Sequence, residues 1–162
     1  MKKKIMCLIS VLFIFSATGL FAFGVGLQFN GNAGKVFNPG VALTAKFDGI
    51  PLVFAGNWYA GDNTSIGITG DYWVVNNSLG NLGKVSIMGF FGVGFYTNMF
   101  FGDEFQITGG FRIPFGLNTF LANGFFEPFL MIAPSFGLRF IPSFGTSNIF
   151  FPVSAGFRMW FK

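Results

Sequence analysis

From Phe23 to the last residue, large apolar side chains recur at every second position. In Phe23-Gly24-Val25-Gly26-Leu27-Gln28-Phe29-Asn30 each odd position is bulky and apolar and each even one is glycine or polar. Successive side chains on an extended chain point to opposite faces, so this pattern describes a strand with one oily face. It repeats at Val41, Leu43, Ala45 and Phe47, after which Asp48-Gly49 marks a tight hairpin. Further segments follow at 52–60, 65–75, 85–97, 105–115, 126–140 and 149–161. These make eight expected strands. The fifth is the least regular, because Phe90 and Phe91 are adjacent.

The direction of the oily face follows from composition. Only 10% of the residues are charged, whereas soluble domains carry about a quarter. A soluble sandwich built from these strands would show water mainly glycine, serine and threonine. With the apolar face outward in lipid, every backbone donor and acceptor must instead be paired inside the protein, and strands achieve this only as a closed cylinder. Crossing strands of about 9–11 residues and an even strand number suit that solution. Glycines in the alternate positions suit the narrow interior of an eight-stranded barrel. The chain is therefore expected to be all-β, an eight-stranded antiparallel up-and-down transmembrane barrel over residues 23–162.

Residues 1–22 read as a secretory signal peptide. Lys2, Lys3 and Lys4 form a basic start, 5–15 an apolar stretch, and Ser16-Ala17-Thr18-Gly19 a small-residue region, with the cut after Ala22 or after Gly19. Cys7 lies inside this leader. Without the three leader lysines, seven basic face six acidic side chains, so nucleic acid is not an expected partner. Residues 85–102 and 140–157 are uncharged and long enough for spanning helices. Gly89, Gly92 and Gly94 in the first, and Pro142, Gly145 and Pro152 in the second, argue for strands and turns.

The chain closes on a strict alternation in which Ser154, Gly156, Met159 and Phe161 occupy the places of a terminal pattern: a polar residue, glycine, an apolar residue and a final aromatic. This resembles the C-terminal insertion signal of outer-membrane proteins, although Lys162 follows where that pattern ends. The whole chain from Phe23 resembles the small eight-stranded outer-membrane barrels of the OmpA-transmembrane, OmpX and OmpW type. The resemblance implies a Gram-negative-type envelope, outer-membrane lipid and the outer-membrane assembly machinery as partners, and both chain ends on the periplasmic side.

With that orientation, Lys46, Asp71, Arg112, Glu127 and Arg158 point inward in the periplasmic half of the lumen. An unpaired buried charge costs several kcal/mol, so these five should pair into a plug. Trp58, Tyr59, Tyr72, Trp73 and Trp160, near strand ends, are expected in the aromatic girdles at the membrane interfaces.

No catalytic reading survives. The chain contains no histidine, Asp103 and Glu104 are adjacent and face opposite ways on a strand, and Gly89-Phe90-Phe91-Gly92-Val93-Gly94 lacks the helix that a phosphate loop needs. No metal and no cofactor are expected. Pro114, Pro128 and Pro152 are expected near strand ends, while Pro134 calls for a bulge or a shortened seventh strand. Residues 76–84 and 116–124 read as long turns. The functional expectation is a small, porin-like outer-membrane barrel with a structural or surface-interaction role. Two alternatives remain: an OmpW-like conduit for a small hydrophobic ligand, carried by Val53, Met88 and Phe90 on the inner face, and a secreted soluble lipid-binding β-domain.

Overall fold

The computed structural model describes residues 22–32, 39–60, 64–146 and 149–161. Residues 1–21, all but the last of the expected leader, and Lys162 lie outside the described residues. Among the described residues there are eleven strand segments and no helix. They are β1 (Phe23–Asn32), β2 (Gly40–Phe47), β3 (Ile50–Tyr59), β4 (Thr64–Leu82), β5 (Val85–Phe101), β6 (Gln106–Arg112), β7 (Phe115–Thr119), β8 (Phe126–Ile132), β9 (Ser135–Ile141), β10 (Gly145–Thr146) and β11 (Pro152–Phe161).

Each segment pairs antiparallel with its neighbours, and β11 closes on β1 from Phe23↔Phe161 to Asn32↔Pro152. The cylinder has eight crossings, because β6 and β7 share one and β8 and β9 share another. Both β6 and β7 pair with β5, and they continue onto β9 and β8 respectively.

Prolines cause the two interruptions. A closed wall has no free edge to accommodate a residue without an N–H, so the ladder passes through the proline carbonyls instead. Gly92 N donates to Pro114 O at 2.8 Å, and Ile113 N donates to Pro134 O at 2.9 Å. Pro134 thus splits the seventh crossing. Pro114 does not end a strand as the sequence implied; it splits the sixth crossing midway.

The turns also differ from expectation. Residues 76–82 continue β4, whose register shifts at Trp73/Val75 and Ser78/Gly80 absorb the asparagine-rich stretch, and only Gly83-Lys84 turn. Phe115–Thr119 is strand β7, leaving 120–125 as the connection, where Ala122, Asn123 and Gly124 all take positive φ.

The faces sort by parity. Leu27, Phe111 and Leu138 lie on the outer surface, Phe111 with 66% of its area exposed. Their chain neighbours Gln28 and Arg112 are buried inside. The shift at Trp73/Val75 leaves Val74 and Val75 both outside, so the alternation resumes in phase with the barrel. Where a ring must lie flat against the inner wall, glycine leaves room: a Cβ on Gly24 would come within 2.8 Å of the Trp160 indole.

Candidate functional site

The interior is a packed polar core, and Glu127 within it is 0% exposed. Glu127 is the second residue of β8 and sits directly opposite Arg158 of β11. Lys46 reaches its Oε1 at 3.1 Å, and Arg158 Nη1 lies 3.4 Å from the same oxygen. Asn118 donates to Oε1 at 2.8 Å and Trp160 Nε1 donates to Oε2 at 2.8 Å. Arg158 in turn donates through Nε to Thr44 Oγ1 at 3.2 Å.

A second pair lies further round the wall. Asp71 on β4 and Arg112 on β6 both face Gly94 of the intervening β5, and Arg112 Nε stands 3.2 Å from Asp71 Oδ1. The contact is electrostatic, since these two atoms make no hydrogen bond with each other or with any other group. Arg112 Nη2 also lies 3.7 Å from Met131 Sδ.

Three buried cations therefore share two buried anions, and aromatic faces take up part of the excess. Lys46 Nζ sits 4.1 Å from the Trp73 ring centroid, and the Arg158 guanidinium sits 4.2 Å from that of Phe129. Desolvated contacts of this kind are worth about 2 kcal/mol. Trp73 stacks on Phe90 with centroids 3.8 Å apart, and with Val53, Phe129 and Met131 these rings form the apolar part of the filling. Towards the loop end the filling is neutral: Gln28 and Ser154 donate to Asn30 Oδ1, and Asn30 donates to Asn57 Oδ1 at 2.9 Å.

The five charged residues named from the sequence all face this interior. Their level needs correcting. Lys46, Glu127 and Arg158 lie near the end that carries both chain termini, but Asp71 and Arg112 lie mid-crossing, because β4 runs on to Leu82 and the sixth crossing runs on past Pro114 to Thr119.

Three of the five interface aromatics also need correcting. Trp58 and Tyr72 face outward, whereas Trp73 (3% exposed) and Trp160 (7% exposed) point into the lumen, and Tyr59 turns inward across Gly40. Trp73 shares parity with Asp71, and Trp160 shares it with Arg158, so alternation would have placed both inside. At the terminus end the rim carries phenylalanines instead: Phe23 and Phe125 both pack on Phe161.

Of the terminal pattern, Ser154 and Gly156 line the lumen while Met159 and Phe161 lie on the outer face. Val53 and Phe90 are buried in the interior, and Met88 is half-buried. Asn118, Thr44, Phe129 and the amides around Asn30 are partners that the sequence reading did not single out; each has the inward parity of its strand. Among the described residues no three His, Cys, Asp or Glu side chains gather as a metal site would require.

The crystal structure of Ail, the attachment invasion locus protein of Yersinia pestis, is similar at 15% sequence identity and a TM-score of 0.30. The match covers 87% of this chain and 96% of that one. No protein-family model matches the chain, and no curated protein matches it.

Proposed function

We propose that this chain is a small outer-membrane barrel of a double-membrane bacterium, with a structural or surface-interaction role in the envelope and a lumen closed by its own side chains. One observation carries the reading: Lys46, Asp71, Arg112, Glu127 and Arg158 are buried inside, while exposed large apolar side chains, Leu27, Leu43, Ile68, Val93, Phe111 and Leu130 among them, cover the outside of the wall. Soluble proteins rarely expose an apolar patch beyond about 300–600 Å², and this belt encircles the barrel. Acyl chains are the environment in which such a surface is stable.

The terminus end then faces the periplasm, and the outward Met159 and Phe161 are the groups the assembly machinery would read. No catalytic role is proposed. The buried network around Glu127 is static filling, since each charge is already paired or set against an aromatic ring. The apolar cluster of Trp73, Phe90 and Phe129 favours one rival, a conduit for a small hydrophobic molecule; that rival requires the stacked rings to part.

Four measurements test the proposal. The protein should need detergent for extraction and should migrate faster on a gel unboiled than boiled. In planar bilayers it should give no large, stable conductance. Wide, weakly selective channels would overturn the closed lumen, and dye or alkane uptake by proteoliposomes would favour the conduit.

A further inference from the structure

A trough of about 540 Å³ crosses the outer wall over β11, β1, β2 and β3. Two parallel ribs bound it. One follows the register Phe157↔Leu27↔Leu43 and stops at Gly56; the other runs beside it from Met159 and Val25 to Phe54 and dips between them at the small Ala45. The floor is the backbone of Gly26 and Thr44, whose side-chain positions face the lumen. The Thr44 hydroxyl is engaged there by Arg158. No outward side chain in the trough carries a hydrogen-bonding group. Over three inter-strand steps of about 4.8 Å the trough runs roughly 14 Å. It is open at the Gly56 end, where an added Cβ would meet nothing within 4 Å.

We propose that this trough is a binding site for one acyl chain of a membrane lipid, laid across the strands. The site rests on the membrane reading above. A hollow with a backbone floor needs a narrow, flexible and wholly apolar occupant, which describes an acyl chain. A second copy of this chain fits poorly: a stable dimer covers about 800 Å² per partner, and the convex wall of another barrel cannot reach a floor set between ribs.

The chain carries its own reporter. Trp58 is exposed two residues beyond Gly56 on the same face, while Trp73 and Trp160 are buried in the lumen. The barrel, folded in detergent micelles, is titrated with a fatty acid brominated at mid-chain, and tryptophan quenching is followed. The expected result is saturable quenching of Trp58 at one chain per barrel. Gly56→Leu and Ala45→Phe fill the trough from the outside, and each should reduce quenching to a line proportional to the brominated mole fraction. Gel mobility before and after boiling confirms that each variant is folded.

Linear quenching in the wild type, or saturation that persists in both filled variants, would overturn the site while leaving the membrane reading intact. So would concentration-dependent dimers in light scattering that Gly56→Leu abolishes. A barrel that remains in solution without detergent would overturn both readings together.

Discussion

Asp71 and Arg112 meet at 3.2 Å across the bare backbone of Gly94, one strand removed from each. A Cβ on Gly94 would collide with the Asp71 carboxylate, so the glycine is what lets charges on next-but-one strands touch. Removing one partner of a buried pair leaves an uncompensated charge and costs about 3–5 kcal/mol, whereas replacing both by apolar groups is often neutral. Asp71→Asn should therefore destabilise the folded barrel by that amount, read from the urea midpoint and slope, and Asp71→Leu combined with Arg112→Met should recover most of it. Gly94→Val should destabilise as severely as Asp71→Asn. Equal losses in the single and double charge variants would show that the pair is not coupled.

Glu127 and Lys46 should behave unequally although they form one ion pair. Glu127 accepts from Lys46, Asn118 and Trp160 and forms an ion pair with Arg158, so Glu127→Gln strands two cations and should cost about 3–5 kcal/mol. Lys46 is one of three cations over two anions, and Arg158 still accompanies Glu127 when it is gone. Lys46→Met should therefore stay within about 1 kcal/mol of the wild type. Chemical denaturation followed by gel mobility measures both.

The tryptophans should separate by parity. Trp73 is packed between Phe90 and Lys46, and truncating such a core ring to alanine costs about 3–5 kcal/mol. Trp160→Phe removes a donor to a buried carboxylate, a loss of about 1.5–3 kcal/mol. Trp58→Phe keeps an aromatic on the outer face and should change stability by less than about 0.5 kcal/mol. Denaturation midpoints in the same lipid or detergent rank the three, and a Trp58 variant as costly as Trp73→Ala would contradict the assignment of faces.

Outward positions should reject charge in a depth-dependent way. Arginine on the lipid face of a barrel costs about 2–4 kcal/mol near the bilayer midplane and close to nothing at the interfaces. Phe111→Arg should show the large cost in lipid vesicles, while Phe23→Arg, at the rim, should show little. In a soluble protein the substitution at exposed Phe111 would be nearly neutral.

Alternation made the closed barrel legible before any coordinates, because an oily face at every second residue and too few charges to solvate its opposite leave few solutions. The same parity located Lys46, Asp71, Arg112, Glu127 and Arg158. Residue type misleads where it conflicts with parity. Trp73 and Trp160 lie near strand ends as interface aromatics do, yet their positions face inward. Asparagine and glycine in 76–82 carry turn chemistry, yet pairing with β5 and two register shifts hold them in a strand. Pro114 and Pro134 are separated by twenty residues, and only the sheet register brings Ile113 N to the Pro134 carbonyl. Register of this kind is a property of closure and has no local signature.

Single cysteines introduced at Leu27, Gln28, Phe111, Arg112 and Leu138, spin-labelled in lipid vesicles and read for oxygen and polar-relaxant access, test the arrangement most directly. Replacing Cys7 where residues 1–22 are retained leaves each label unique. High oxygen and low polar-relaxant access at Leu27, Phe111 and Leu138, with low access to both at Gln28 and Arg112, is the result this structure predicts. Polar-relaxant access at the first three positions equal to that of a water-exposed label would contradict it.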